Sequence, residues 1–464
     1  MERSAHGYWL ADVGPVTAEA VLPPGAHSAD VAVIGGGYLG MWTAWRLAER
    51  GADVVLCESG ICGEGPSGRN GGFVNPLWDR SEELRELFGD DGAKRLAHAS
   101  EQAIDDIERW ATDQGVDIHL RRAPMLEVAS APSQVGSWRG AVAACQALGR
   151  EQEAHEIDGR AARALCASPL FEAGVLWNTS ATLHPARLAR GLRQALIEHD
   201  RVRLFEGTRI IDFEERPGGI RLRSDRNASI TADAAVLAIN HASGALKPLR
   251  RAVVSGSSHA VATEPVPDVL EEIGWTGGEG IADCRTMLHY LRTTQDHRIV
   301  FGWGGGRMGF GTRRRGALDV DAEVQDTVVR HLFQMIPQLA GRKVEYAWGG
   351  PIDVSPVHLP WFGSIGRLHW GCGFTGNGVG PTSLGGHVLA DLALDLKTEH
   401  TGLPNVGGMP PTLFPPEPFK YLAGTAIRSA LIRIDDADQA GHRAGPVARG
   451  IGALPNKLGL HLPR

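Results

Sequence analysis

The sequence predicts an α/β (α+β) fold in which a parallel βαβ sheet alternates along the chain with an antiparallel sheet. Residues 30–58 supply the first observation, since they read as an apolar strand, a glycine turn, a helix and a second apolar strand. The second is the apolar run at residues 234–239, which predicts a strand that returns the chain to the same sheet. The third is residues 253–302, where strand-like runs alternate with turn signals, as expected for an antiparallel sheet.

The turn within residues 30–58 has the spacing G-x-G-x-x-G, formed by Gly35, Gly37 and Gly40. Gly35 suits the tight turn, Gly37 lets a pyrophosphate approach the backbone, and Gly40 lets the helix and strand pack closely. The helix N-terminus offers free N–H groups to phosphates, and Glu58 is placed to accept hydrogen bonds from a ribose. An ordinary glycine-rich turn is disfavoured, because strand, helix and acid all occur at the right distances. The predicted dinucleotide site is Gly35, Gly37, Tyr38, Leu39, Gly40 and Glu58.

Composition excludes several functions. The chain has 464 residues, 43% hydrophobic and 22% charged, which suffices for two packed domains or one large unit. A net charge of −7 disfavours a nucleic-acid surface. The six cysteines form neither a C-x-x-C pair nor a zinc spacing with histidines, so we expect no metal. Because there is no secretory signal pattern and no transmembrane-length apolar run, we expect a reducing, cytoplasmic setting.

Further glycine-rich stretches follow the fingerprint. Residues 59–73 read SGICGEGPSGRNGGF, a loop that can wrap a ligand with backbone N–H groups. Residues 368–394 read as a strand, a glycine loop and a helix that begins near Pro381 or Thr382. Residues 304–309 formally repeat G-x-G-x-x-G, but the cationic stretch after them does not read as a helix. We therefore predict no second nucleotide site there.

Taken in order, the fingerprint, the SGRNGGF loop, the late VLAIN strand and GFTGNGVGPTSLGG resemble the D-amino-acid-oxidase-like FAD-dependent oxidoreductases. Within them, the chain looks most similar to the γ-glutamylputrescine oxidase branch and its relatives acting on amines. The resemblance implies a glutathione-reductase-like FAD-binding Rossmann domain interleaved with an antiparallel-sheet substrate domain. We expect residues 28–80, 170–250 and 345–400 in the FAD domain, residues 81–169 and 251–344 in the substrate domain, and residues 401–464 as a C-terminal extension.

The resemblance also implies FAD contacts beyond the fingerprint. Residues 67–72 would pass close to the isoalloxazine and the pyrophosphate, and residues 376–379 would lie at the pyrimidine edge of the flavin. The helix beginning near Thr382 would stabilise negative charge at flavin N1 and C2=O. The residues so assigned are Ser67, Gly68, Arg69, Asn70, Gly71, Gly72, Gly376, Asn377, Gly378, Val379 and Thr382.

The chain departs from the family pattern in two places. Many amino-acid oxidases of this kind have an arginine in the turn before the equivalent of Pro351, where it grasps the substrate carboxylate. Here the turn holds Gly349 and Gly350, which favours an amine without a carboxylate next to the reacting carbon. No cysteine stands near Asp353 to tether the flavin, and Cys372 reads as a small packing residue. We therefore expect FAD to be bound non-covalently.

The resemblance implies oxidation of a small amine to an imine by hydride transfer to flavin N5, followed by hydrolysis to an aldehyde or ketone. Molecular oxygen would accept the electrons and give hydrogen peroxide. An apolar wall would favour the neutral amine, for which the candidates are Trp303, Trp348, Trp361 and Phe374. His289 and Tyr290 are the candidate catalytic side chains.

Three alternatives remain open at this point. A dehydrogenase of the same fold would pass electrons to another acceptor. A flavin N-monooxygenase would need NAD(P)H, against which the lack of a second credible nucleotide motif argues. A non-enzymatic FAD-binding protein would bind flavin that no amine reduces.

Overall fold

Two large β-sheets organise the molecule, as the sequence predicts. The computed structural model describes residues 1–312 and 316–460. Within that part an eight-stranded sheet contains the fingerprint strands, and a nine-stranded sheet contains most of the predicted antiparallel region. The mixed α/β class is therefore confirmed.

The eight-stranded sheet is parallel at its centre. Gly25–Ile34 pairs in parallel with Val54–Cys57 on one side and with Ala228–Leu237 on the other. The late apolar strand thus returns the chain to the fingerprint sheet, as predicted. In spatial order the strands are Val202–Phe205, Val54–Cys57, Gly25–Ile34, Ala228–Leu237, Gly219–Ser224 and Ile210–Arg216, with Leu368–Cys372 also on Ala228–Leu237 and Trp361–Ile365 on Leu368–Cys372.

The nine-stranded sheet is mostly antiparallel. In spatial order its strands are Glu2–Arg3, Val344–Val354, Val254–Thr263, Ile299–Trp303, His289–Thr293, Gly280–Asp283, Met125–Ala129, Ala173–Trp177 and Ala154–Asp158. Ala173–Trp177 and most of Val344–Val354 fall inside segments predicted for the FAD domain, yet both strands pair within this sheet. The chain therefore crosses between the sheets at positions other than the predicted boundaries, because strand pairing is a non-local choice.

Helices cover the sheets. They are Gly7–Val13, Tyr38–Glu49, Ser81–Asp113, Arg139–Ala147, Gly159–Leu165, Pro185–Ile197, Pro267–Glu272, Ala322–Met335, Val379–Ala393, Phe419–Gln439, Pro446–Gly452 and Leu454–Lys457. A small sheet of Phe73–Val74, Ala181–Thr182 and Arg121–Arg122 completes the fold. No helix in the described ranges is long and apolar enough to cross a lipid bilayer.

The fingerprint helix, Tyr38–Glu49, packs closely against Val379–Ala393. A Cβ placed on Gly386 would lie 2.7 Å from Trp42 Cβ, so the two backbones approach through the missing side chain. Trp42 is fully buried and meets the Trp110 ring edge-on, with 5.1 Å between centroids. This packing brings the N-termini of two helices, from opposite ends of the sequence, to the same side of the eight-stranded sheet.

The C-terminal helix, Phe419–Gln439, docks on the nine-stranded sheet. Its Arg428 Nη2 donates to Gly305 O at 2.5 Å, and Arg428 Nε also donates to Gly306 O. Arg428 thus binds the carbonyl oxygens of Gly305 and Gly306, and no helix begins within residues 304–309. That these residues hold no nucleotide stays a prediction.

Candidate functional site

A cleft of about 360 Å³ lies where the two sheets meet. Two of the predicted glycine stretches line it on one side, and strands of the nine-stranded sheet line it on the other. Of the predicted residues, those that line the cleft are Arg69, Asn70, Gly71, Gly72, Tyr290, Gly376, Asn377 and Val379. The fold thus joins segments that stand more than 300 residues apart in the chain.

The fingerprint turn has the geometry that its glycines predict. Gly35 has a φ of +105°, and a Cβ there would lie 2.4 Å from Ala238 O. A Cβ on Gly40 would lie 1.8 Å from Gly35 O, so that helix and strand could not approach as they do. A Cβ on Gly37 would meet only Ser67 Oγ, at 3.1 Å. The backbone at Gly37 is therefore open for close approach by a ligand.

Glu58 stands at the end of Val54–Cys57, beside the fingerprint turn. Its carboxylate accepts hydrogen bonds from Gly36 N at 2.7 Å and Gly60 N at 2.7 Å. The acid is thus held against the first turn of the fingerprint, at the position where the sequence predicts ribose recognition.

The loop at residues 67–72 is closed by its own side chains. Asn70 Nδ2 donates to Ser67 O at 2.7 Å, and Asn70 Oδ1 accepts from Gly72 N at 2.7 Å. Ser67 Oγ accepts from Tyr38 N at 2.8 Å, which ties this loop to the fingerprint helix. The two predicted cofactor stretches are therefore one connected structure.

Arg69 joins the loop to other segments through its buried guanidinium. Its Nη1 donates to Asp319 Oδ1 at 3.0 Å and to Gly349 O at 3.2 Å. Its backbone oxygen accepts from Trp348 Nε1 at 2.8 Å. The side chain is thus committed to holding the loop against the nine-stranded sheet, a role that the sequence did not predict.

Arg292 supports the same loop from behind. Its Nη1 donates to Leu183 O at 2.5 Å and to Gly72 O at 3.3 Å, and its guanidinium lies 5.3 Å from the centroid of the Trp9 ring. Gly72 has a φ of +74°, and a Cβ there would lie 2.1 Å from Leu183 O. The N-terminal arm, through Trp9, therefore helps to shape the cleft.

Asp353 organises the third glycine stretch. Its Oδ2 accepts from Gly373 N at 2.6 Å, and its Oδ1 accepts from Phe374 N at 3.2 Å and Asn240 Nδ2 at 3.3 Å. The carboxyl is 1% exposed, and burial raises its pKa to about 7, although these hydrogen bonds oppose the rise. One acidic side chain thus sets the path of the backbone toward Gly376.

The helix after this loop begins earlier than predicted. It runs from Val379, with Gly378 as its N-cap, rather than from Pro381 or Thr382. Pro381 lies in the first turn, where its missing N–H costs nothing. Thr382 Oγ1 donates to Val379 O at 3.0 Å, within that turn. The helix N-terminus still points its free N–H groups toward the cleft.

Tyr290 and His289 lie on opposite faces of one strand. Tyr290 lines the cleft, with its hydroxyl 2.9 Å from Ser258 Oγ. His289 is buried on the other face, where its Nδ1 lies 2.6 Å from Asp283 Oδ2 and its Nε2 lies 2.8 Å from His331 Nδ1. Consecutive side chains of a strand point to opposite faces of the sheet. Since Tyr290 faces the cleft, His289 faces away from it. The structure does not place His289 among the cleft-lining residues, contrary to its predicted role.

The predicted aromatic wall is partly present. Trp348 and Phe374 line the cleft. Trp303 instead donates from Nε1 to Met287 O at 3.0 Å, and Trp361 packs with 6.0 Å between its ring centroid and that of Phe88. Those two tryptophans are core residues, and Trp177 lines the cleft in addition.

Sequence reasoning missed the acidic side chains of the cleft. Asp79, Glu127 and Asp283 all line it, together with Glu83. Burial raises the pKa of Asp79 to about 7 and also raises the pKa of Glu127. These residues come from separate segments and share no motif, so no local signal in the sequence could have grouped them.

Comparison with known proteins agrees with this geometry. The family model described as FAD dependent oxidoreductase (DAO) matches residues 30–392. The chain belongs to the DAO family of FAD-dependent oxidoreductases. The C-terminal helix Phe419–Gln439 lies beyond the residues that the family model matches.

Among individual relatives of this DAO-family chain, the probable oxidoreductase OrdL of Rhizobium meliloti (strain 1021) is 29% identical over 388 residues, covering 82% of this chain and 86% of the relative. The γ-glutamylputrescine oxidoreductase of Escherichia coli (strain K12) is 28% identical over 374 residues, covering 78% and 83%. In structure, the glycine oxidase from Geobacillus kaustophilus superimposes with a TM-score of 0.68 at 19% identity, covering 80% of this chain and 96% of that one. The last comparison establishes the common fold.

The site of this DAO-family chain has the features that FAD requires. The fingerprint turn offers a glycine cradle that any Cβ at Gly37 would narrow, with an acid beside it at Glu58. A Cβ on Gly376 would meet nothing within 4 Å, so the third stretch is also open to a close ligand. The chain is an FAD-dependent oxidoreductase, and its glycine stretches fit the cofactor of its family.

Proposed function

We propose that this protein oxidises the C–N bond of a small amine to an imine, with molecular oxygen as the electron acceptor and hydrogen peroxide as the second product. The observation that carries the proposal is the cleft itself. There the glycine loops assigned to FAD share one cavity with strands of the nine-stranded sheet. A substrate held on those strands would lie against the cofactor.

The cofactor contacts proposed from the sequence fit this arrangement. The fingerprint turn and Glu58 would hold the pyrophosphate and the adenosine ribose. Residues 67–72 would lie along the isoalloxazine, and the helix N-terminus at Val379 would face its pyrimidine edge. When bound, FAD would supply the acceptor for the hydride that leaves the amine carbon and would then return two electrons to oxygen.

The protein would prepare the amine for this reaction. An ammonium group cannot release hydride readily, so one proton must leave the nitrogen first. Trp348, Phe374 and Tyr290 give the cleft an aromatic lining, which favours the neutral amine by excluding water. The Tyr290 hydroxyl, fixed by Ser258, could orient the nitrogen through a hydrogen bond. Water would then hydrolyse the released imine to an aldehyde or ketone, with ammonia as the other product of a primary amine and a smaller amine as the other product of a secondary amine.

The substrate would lack a carboxylate next to the reacting carbon. Gly349 and Gly350, where related amino-acid oxidases carry an arginine, are part of the strand that lines the cleft. Among the relatives, one is named γ-glutamylputrescine oxidoreductase and others are named glycine oxidase. Their names therefore include substrates without and with a carboxylate next to the reacting carbon. The absence of an arginine at Gly349 and Gly350 favours an amine without a carboxylate next to the reacting carbon.

The test is anaerobic mixing of the flavin-loaded protein with butylamine, 1,4-diaminobutane, γ-glutamylputrescine and glycine. We expect the amines without an α-carboxylate to bleach the flavin absorbance and glycine to leave it unchanged. Admitting air should then restore the absorbance with one peroxide per amine oxidised. Bleaching without reoxidation by air would indicate a dehydrogenase. Bleaching by NADPH but by no amine would replace the proposal with a monooxygenase.

A further inference from the structure

The acidic side chains of the cleft are not balanced by the cations beside them. Asp79, Glu127 and Asp283 line the cleft together with three arginines, Arg69, Arg80 and Arg285. Arg69 is paired with Asp319. Arg80 and Arg285 form their ion pairs with other carboxylates, although their charges still lower the pKa of Asp79 and of Asp283, respectively.

Arg285 is neutralised by the C-terminal helix. Its Nη2 lies 2.6 Å from Asp436 Oδ1, its Nε lies 3.9 Å from Asp435 Oδ2, and its Nη1 donates to Gln439 Oε1 at 2.5 Å. The guanidinium side chain is 1% exposed. It is therefore paired with carboxylates outside the cleft wall and is not free to grasp a substrate carboxylate.

Arg80 is engaged in a similar way. Its Nη1 donates to His358 O at 3.0 Å, its Nη2 donates to Val357 O at 3.3 Å, and its Nε lies 3.5 Å from Glu83 Oε2. Arg80 thus forms its ion pair with Glu83, although its charge also acts on Asp79. The acids left over are Asp79 and Glu127, together with Asp283, which is bonded to His289.

Neither Asp79 nor Glu127 forms an ion pair within residues 1–312 and 316–460. The charge of the neighbouring Arg80 opposes the rise in the pKa of Asp79, but burial outweighs it. Asp79 Oδ1 is inaccessible to solvent and accepts no hydrogen bond there. Glu127 accepts only from neutral groups, Trp177 Nε1 at 3.0 Å and Cys284 Sγ at 3.6 Å. Burial raises the pKa of Asp79, and the negative charges of Glu127 and Glu83 raise it further. Burial also raises the pKa of Glu127, with further contributions from Glu83 and Asp283.

A buried carboxylate without a positive partner is costly, and a ligand cation removes that cost. We propose that Asp79 and Glu127 bind a second, non-reacting cationic group of the substrate, so that the substrates are diamines or longer polyamines. The inference rests on the proposed amine oxidation and deepens it. The same carboxylates would repel the carboxylate of an α-amino acid, which gives the cleft its discrimination.

The test compares two probes of equal length, 1,4-diaminobutane and butylamine, which differ by one cationic group. Binding is measured by calorimetry and by the shift of the flavin spectrum, and anaerobic flavin reduction is measured alongside. In the unmodified holoenzyme we expect the diamine to bind at least ~10-fold more tightly than butylamine, which corresponds to about 1.4 kcal/mol, because it alone forms the additional charge pair.

The variants are Asp79→Asn and Glu127→Gln, each of which keeps the shape of the side chain and removes its charge. Both should lose most of the preference for the diamine while butylamine binding changes little. Asp91→Asn is the matched control, because the Asp91 side chain is 90% exposed. It should retain the full preference. If one of the first two variants fails to fold, the other still decides the matter.

The failures are distinguishable. If butylamine reduces the flavin as well as the diamine does, and neither variant alters their ratio, the cationic subsite is wrong and the amine oxidase proposal stands. If neither amine reduces the flavin, the oxidase proposal fails. In that case diamine binding that survives both substitutions would overturn the subsite, and diamine binding abolished by them would support it.

Discussion

Asp353 provides a quantitative test of how the cleft is built, through the substitution Asp353→Asn. Burial raises the pKa of this carboxyl from its usual 3.8 to about 7. As the pH rises from about 4 to about 7, the unfolded chain loses this proton first, so the unfolded state binds fewer protons than the folded state. The free energy of unfolding therefore falls across this window.

The size of the effect follows from the difference between the two pKa values. About three pH units correspond to roughly 4 kcal/mol of unfolding free energy at 1.36 kcal/mol per unit. The asparagine variant does not titrate, so it lacks this component. The variant also has an amide NH₂ group at the position where an Asp353 oxygen accepts hydrogen bonds from Phe374 N and Asn240 Nδ2. Loss of such a bond should lower the free energy of unfolding by about 1–3 kcal/mol at every pH.

The assay is urea denaturation of both proteins at fixed FAD concentration, followed by circular dichroism between pH 4 and pH 8. The stability of the original protein relative to the variant should fall by roughly 4 kcal/mol across this range, because all other titrations cancel in the difference. If the difference in unfolding free energy between the two proteins does not change with pH, the assignment of a buried, neutral carboxyl at Asp353 is wrong.

Four further substitutions and one control test other parts of the molecule. Gly40→Ala places a Cβ 1.8 Å from a backbone oxygen, and we expect loss of most bound FAD, measured as the ratio of flavin to protein absorbance. Asp435→Ala leaves two backbone N–H groups unpaired and should lower the free energy of unfolding by about 2–4 kcal/mol in urea titrations, whereas Asp438→Ala in the same helix should change it little. Tyr290→Phe should slow anaerobic flavin reduction by an amine about 10-fold, the value of one hydrogen bond, at nearly unchanged stability. His289→Asn should instead lower the free energy of unfolding and leave the rate of flavin reduction nearly unchanged. Equal losses of rate in the two variants would contradict the placement of Tyr290 and His289 on opposite faces of the strand.

The C-terminal helix contributes to the charge of the cleft, although the family model does not match this helix. Phe419–Gln439 lies outside the matched residues 30–392, yet its Asp436 holds the cleft-lining Arg285. The charge that a substrate meets is therefore set in part by a segment beyond the family's common core.

The sequence by itself determined the features that depend on neighbouring residues. A G-x-G-x-x-G turn between a strand and a helix works through steric limits within one short segment, so Gly35 and Gly40 have the predicted roles. The apolar run at residues 234–239 predicts a buried strand of the same sheet, and Ala228–Leu237 is that strand. The order of three glycine stretches then sufficed to recognise the family and its cofactor.

Only the tertiary structure decided the features that depend on which segments meet. Strand alternation leaves the choice between His289 and Tyr290 open until the register with the neighbouring strands is set. The assignment of Ala173–Trp177 to the nine-stranded sheet depends on its partner Met125–Ala129, far away in the chain. That Asp79 and Glu127 form no ion pair within the described part of the chain is known only once the partners of Arg80 and Arg285 are known. Charge compensation depends on which residues lie close together in space, and these contacts between distant segments cannot be read from the sequence.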